Sequence, residues 1–183
     1  MLFPGQVYAQ NQPALAVERL PLPDMIMRSA AQDSQKIKKI GSDNALWKYD
    51  GQTFEKITHI PGEKNGLTYS PPTFVVSGVE NDLWIGTVRG GISRLQHRSG
   101  KYTSWRHDPD DPGTLGGNQA CAIAVEKDGT VWAASDPFCL NRIDPSTGKV
   151  QRFYATVPTM PPGRYLDYLT CISSDPSDSD LIW

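Results

Sequence analysis

The amino-acid sequence predicts an all-β chain assembled from repeated four-stranded units. Three observations carry that prediction. "DLWIGTVRGGISRLQHRSGKYTSWR" (82–106) aligns without gaps on "TVWAASDPFCLNRIDPSTGKVQRFY" (130–154), 48 positions further on. Each copy divides into short apolar-rich runs separated by glycine-bearing turns, the punctuation of strands. No 3.6-residue periodicity appears, because Pro and Gly break every window long enough to hold a helix. A four-stranded unit of ~45–50 residues repeated head to tail has the dimensions of a propeller blade. A β-sandwich would use similar strands but gives no reason for a fixed period. The predicted architecture is a partial β-propeller over 26–183, with about three four-stranded blades and the start of another.

Residues 1–25 precede the repeats. Val7-Tyr8-Ala9 before Gln10 fits a small-x-small signal-peptidase site, yet only nine residues lie upstream. A basic n-region and a full apolar h-region are therefore absent. The segment reads as a truncated export signal or as a loose N-terminal stretch.

The first blade is placed at about 26–59. "DSQKIKKIGSDNALWKYDGQTFEKITH" (33–59) follows the course of the better copies: Ile40-Gly41 matches Ile85-Gly86, and His59 falls opposite His107. Lys39 stands at the position held by Trp84 and Trp132. A charge is a poor core residue, so this unit is atypical, as terminal repeats often are.

The second blade, about 73–106, contains "LWIG" (83–86). That run is apolar on both faces, as expected of a sheet sandwiched between two others. It is followed by "RHDPDDPGTLGGN" (106–118), which has almost nothing to bury. Chain direction explains this composition. The outermost strand of one blade must be linked to the innermost strand of the next, across the face that also carries the strand two–three turns. Pro109 and Pro112 fix φ and remove donors, and Asp108 and Asp111 each precede a proline and favour extended backbone.

The third blade, about 119–154, has strands at 120–126, 131–135, 140–144 and 150–154. Its first strand alternates Ala120, Ala122 and Ala124 with larger residues, and small side chains suit the crowded centre of a radial arrangement. A fourth unit, about 169–183, begins and stops at "SDLIW". Trp84, Trp132 and Trp183 are expected in the core between blades, because each buries a large area. Arg94 and Arg142 repeat in phase and are expected to form structural ion pairs or to lie along apolar surface. A closed ring needs more chain than this, so the sequence reads as the leading part of a longer propeller. Alone, it would leave an inter-blade face uncovered and be marginally stable.

Composition narrows the function. The chain has 18 basic and 20 acidic side chains, a net charge of −2, with no basic stripe for nucleic acid. No apolar run approaches the ~20 residues of a spanning helix, so contact with a membrane would come only through segments further downstream. Cys121, Cys139 and Cys171 lack the spacing of a zinc site and read as small apolar side chains. A Cys121–Cys171 bridge is the lesser alternative. Paired aspartates suit Ca²⁺, but no DxDxDG spacing is present. No metal or cofactor is expected, and no nucleophile motif is visible.

"LWIGTVRGGISRL", "EKDGTVW", "RIDPSTGKVQRF" and "HDPDDPGTL" resemble the two-component regulator propeller repeat. The departures are Lys39 for Trp, "AAS" (133–135) for "IGT", and "DPFC" (136–139) for a glycine pair. The resemblance implies a ring that typically closes with seven blades. It also implies a sensory, non-catalytic, extracytoplasmic region of a membrane-bound bacterial signalling protein, tethered to the inner membrane. The full-length protein would then be a hybrid histidine kinase or a diguanylate cyclase. The partner would be a small ligand, with carbohydrate as one class, or a protein, besides the remaining blades of the same chain. The alternatives are a secreted propeller lyase or glycosidase, which needs an acid/base pair converging on the axis, and a pure interaction scaffold.

The connectors and the strand two–three turns share one face, and loops on rigid scaffolds carry function. The ligand candidates there are Arg89, His107, Asp108, Asp110, Thr114 and Asn118. Their counterparts are Asn44, His59, Asn65 and Tyr69 in the first unit, and Asp136 and Phe138 in the third. The competing reading is that the 106–118 loop is mainly a connector, since turn chemistry accounts for its composition.

Overall fold

The computed structural model describes residues 22–62, 65–69, 71–136, 139–154 and 172–173. Twelve strands form three four-stranded antiparallel sheets, each ordered as the chain runs. The first sheet holds β1 (Met27–Gln32), β2 (Lys38–Ser42), β3 (Leu46–Tyr49) and β4 (Phe54–Ile57). The second holds β5 (Pro72–Ser77), β6 (Leu83–Thr87), β7 (Ile92–Leu95) and β8 (Tyr102–Trp105). The third holds β9 (Gln119–Val125), β10 (Val131–Asp136), β11 (Cys139–Ile143) and β12 (Val150–Tyr154). Among the described residues the only helical segment is a 3₁₀ turn at Val79–Asn81, and no helix is long and apolar enough to cross a membrane.

The first strands of the sheets touch in succession, β1 on β5 and β5 on β9. They form the inner edge of a fan, and the chain is a partial β-propeller. Blade ends in the third sheet differ from the predicted ones by a residue. Glu126 and Asp144 lie outside the strands because each opens a turn. The Glu126 amide donates to the Thr130 carbonyl at 2.8 Å, and the Asp144 carboxylate accepts from the Ser146 and Thr147 hydroxyls. Those hydroxyls hold the Asp144 carboxyl well below the usual carboxylate range. The fourth unit, with Cys171 and Trp183, lies outside the described residues except for 172–173.

Register makes the repeat exact in space. Lys39 faces Ala31 and Lys48, Trp84 faces Val76 and Arg94, and Trp132 faces Ala124 and Arg142. The three residues occupy one position in three sheets. Two positions further along β2 and β6 sit Gly41 and Gly86. A Cβ on Gly86 would lie 2.7 Å from the Ala120 Cβ, and one on Gly41 2.7 Å from the Val75 Cγ2. Glycine here lets the second strand of one blade press on the first strand of the next.

Two cores result, one per interface. Between the second and third sheets Trp84 is 1% exposed and stacks on Trp105 with centroids 5.2 Å apart, amid Ile92, Leu115, Ile123, Val131 and Ile143. Between the first and second sheets lie Leu46, Leu67, Val75, Leu83 and Ile85, with Ile57, Leu95 and Tyr102 packed against them. Except for Ile85, these eight are the one-blade-earlier copies of Ile92, Leu115, Ile123, Val131, Trp105, Ile143 and Val150; Ile85 is the copy of Ala133. Both tryptophans are missing from the earlier core, with Lys39 at the Trp84 position and Ile57 at the Trp105 position. Trp132 departs from the expected burial: it is partly exposed, packs on Phe153 at 5.6 Å, and its indole N–H donates to Glu126 Oε1 at 2.9 Å. The arginines in phase stay structural. Arg94 pairs with buried Asp82, and both Arg94 and Arg142 lie over their indoles at 5.9 and 6.0 Å.

Candidate functional site

Alternation of strand direction gives the fan two faces. The β2–β3 and β6–β7 turns share one face with the connectors, as do the facing ends of β10 and β11, and the first and last turns of each blade share the other.

On the connector face, most sequence candidates serve their own loops. His107 Nδ1 meets the Leu115 carbonyl at 2.6 Å, and His59 Nδ1 meets the Leu67 carbonyl at 2.5 Å. The same contact eight residues on, in two successive connectors, is a repeated lock that seats a buried leucine in the core beneath. The Asn118 side-chain oxygen accepts the His107 amide at 2.8 Å. Thr114 Oγ1 accepts the Asp108 amide and donates to the Asp111 carbonyl, while Asp108 Oδ1 accepts the Asp110 amide. The Arg152 guanidinium of β12 closes the loop, donating to Thr114 Oγ1 and to the carbonyls of Asp108, Asp111 and Thr114. In the earlier connector the Asn65 oxygen accepts the Tyr102 amide at 2.7 Å. Asn44 is likewise engaged in its own turn, accepting from Ser42 Oγ and the Trp47 indole.

Three candidates do come together. The Gly90 position abuts Tyr69 and Thr68, since a Cβ there would stand 2.6 Å from each, and the Gly91 amide donates to the Asn118 carbonyl at 2.9 Å. Tyr69 and Asn118 therefore flank the turn that carries the exposed Arg89. The Arg89 guanidinium makes no side-chain hydrogen bond or ion pair among the described residues. Asp136 pairs across the sheet with Gln119, the residue after Asn118, and lies beside Cys121, whose thiol is pushed up by burial and then by that carboxylate. Cys121 and Cys139 are free thiols. Phe138 lies outside the described residues.

The opposite face holds a second site, away from every residue that the sequence singles out as a ligand candidate. Between the first and second sheets is a cleft of about 310 Å³, walled by Ile37, Leu46, Ile57, Leu83 and Leu95 and carrying Lys39. Its position follows from the register. Gly78 leaves room for the Trp84 indole in the next interface, where a Cβ would stand 2.7 Å from its nitrogen. The residue at that position in the first sheet is Asp33, so a Trp–Gly pair becomes a Lys–Asp pair. At the same interface Ile57 stands where the second has Trp105. With both indoles gone, the space stays open. The Lys39 side chain is only 14% exposed, and its ammonium lies 4.0 Å from Asp33 Oδ2. Burial pulls its pKa below the usual lysine range, against the opposing pull of Asp33. Asp33 Oδ1 is engaged by the Gln35 and Ile37 amides, and Lys48 is paired with Glu55 at 3.1 Å. The signal for this site was present in the sequence as the lysine in a tryptophan column.

No protein-family model matches the chain, and no curated protein matches it. Solved structures do. The extracellular domain of BT3049 from B. thetaiotaomicron, assigned as a hybrid two-component system, superposes with a TM-score of 0.68 at 23% identity over 79% of this chain and 21% of that one. Virginiamycin B lyase from Staphylococcus aureus gives a TM-score of 0.56 at 19% identity, over 76% of this chain and 44% of that one. YCF48 bound to D1 peptide gives 0.52 at 13% identity, over 92% and 55%. The chain thus spans about a fifth of the first structure and less than half of the second. At such identities the likeness is one of fold.

Proposed function

We propose that this chain is part of an extracytoplasmic sensory propeller, a non-catalytic ligand-recognition region of a membrane-bound bacterial signalling protein. The observation that carries this reading is the fate of the connector carboxylates. In the 106–118 loop, Asp108 and Asp111 accept from the loop's own amides, while Arg89, Tyr69 and Asn118 are grouped around one turn. That arrangement suits recognition better than acid/base chemistry, which needs two carboxyls aimed at one bond. The likeness to the BT3049 extracellular domain supports the same reading. The mechanism is a population shift between two arrangements of the receptor, driven by a ligand that prefers one of them.

A lyase is the second reading, favoured by the fold likeness to virginiamycin B lyase. One experiment separates the two. The full-length protein in membrane vesicles is assayed for autophosphorylation and for cyclic-dinucleotide synthesis while oligosaccharide pools are added. An output that changes with one pool, and that an Arg89→Ala variant no longer modulates, supports sensing. Breakdown of the added compound with no change in output favours the enzyme.

A further inference from the structure

The geometry points to the cleft between the first and second sheets as a binding site for a small planar aromatic carboxylate. It lies on the face opposite the connectors and does not depend on the sensory reading.

The walls argue for the aromatic part. Leu46, Ile57, Leu83 and Leu95 are the register copies of Ile92, Trp105, Val131 and Ile143, which enclose the Trp84 indole one blade on. The same fan geometry therefore sets the same wall spacing, with no ring supplied by the chain. A volume of about 310 Å³ falls at the small end of ligand pockets. The leucine and isoleucine walls form the apolar part of the lining, and Gln35, Ser77, Asn81, Gln96 and His97 add polar groups around it.

The floor argues for the acid. An ammonium has three donors. The Lys39 ammonium makes no hydrogen bond among the described residues, and its nearest acid is the 4.0 Å contact with Asp33. The Asp33 carboxylate is divided between that contact and its amide partners, and Lys48 is already neutralised by Glu55. A carboxylate entering over the apolar walls would give Lys39 the charge-assisted bond that it lacks. A cationic ligand finds no such vacancy, since both nearby carboxylates are engaged.

The test uses the full-length protein and three probes in calorimetry: indole-3-acetate, indole and acetate. The wild type binds indole-3-acetate about tenfold or more tighter than indole, the ratio expected for a hydrogen bond to a charged group. Lys39→Met lowers the indole-3-acetate affinity by that factor and leaves indole within about twofold. The double variant Lys39→Trp, Asp33→Gly rebuilds the next interface, abolishes binding of both ring compounds and raises the melting temperature. Should the double variant not fold, the Lys39→Met comparison decides alone. Absence of heat from indole-3-acetate with the wild type, equal affinity for indole and indole-3-acetate, an indole-3-acetate affinity unchanged in Lys39→Met, or ring-compound binding that survives in the double variant overturns the assignment.

Discussion

Trp84→Ala tests whether the sheets are packed as blades. The indole is 1% exposed, stacks on Trp105 and is overlaid by Arg94. An aromatic side chain buries about 150–250 Å². At about 25 cal/mol per Å² that is ~4–6 kcal/mol, an upper bound because unfolded chains already bury some apolar surface. Allowing for that leaves ~3–5 kcal/mol, the range measured for truncating a buried large aromatic. Little relaxation can fill the hole, since the Gly78 amide is tied to the Asp82 carbonyl at 2.8 Å and Ile123 belongs to a strand fixed by its own ladder. Arg94 keeps Asp82 in the variant, so no buried charge is orphaned and the loss is one of packing. The assay is urea unfolding of the full-length protein followed by tryptophan fluorescence. The midpoint should fall with an unchanged slope, which marks a loss of stability rather than a new unfolded state. A loss below about 1 kcal/mol, the size of an ordinary surface change, would refute the inter-blade packing.

Arg152→Ala removes four hydrogen bonds from the connector over residues 106–118; hydrogen exchange at Thr114 and Leu115 should accelerate by at least about tenfold, with the core amides unchanged. Asn141→Leu strands the Gly116 amide, which now donates to the Asn141 oxygen at 2.8 Å in a buried setting; thermal unfolding should register a loss of about 1–3 kcal/mol. Lys39 gives a pH dependence. Its folded pKa is lowered from 10.5, chiefly by burial, so the unfolded chain binds more protons between the folded value and 10.5. Stability must then rise with pH through that window. Wild-type stability, measured against Lys39→Met, should climb as the pH approaches 10.5; a flat difference would remove the buried ammonium from the account.

Much of the fold is written in the sequence because a repeat states each position more than once. The Trp84 and Trp132 columns, the Ile-Gly pair and the glycine turns each have one physical task, and the sheets place them in one register. Strand ends were less legible, since Glu126 and Asp144 look like strand residues until their turn partners are known. The connectors were legible as connectors from Pro109 and Pro112. The histidines were legible in part: His59 and His107 repeat in phase, which favours a structural role although both are ligand candidates, and their eight-residue reach to a leucine carbonyl shows what that role is. The cleft was hidden because three residues distant in sequence, Asp33, Lys39 and Ile57, change together relative to the next blade. Lys39 alone reads as a worn repeat.

That joint change bears on how repeat proteins acquire sites. A wedge-shaped core is over-determined, since every strand that walls it is also held by its neighbours. Removing one large side chain therefore leaves a shaped void where a looser fold would collapse. Placing an ammonium in that void adds a charge whose solvation is incomplete, and a neighbouring acid at 4.0 Å offsets only part of it. Simple decay of a terminal repeat predicts drift to small or polar residues throughout the interface. Here Leu46, Leu67, Val75, Leu83 and Ile85 stay buried and apolar beside the charged exchange at Asp33 and Lys39. An apolar wall kept beside a half-buried ammonium that has no hydrogen-bond partner among the described residues is the arrangement expected of a site kept open for a ligand.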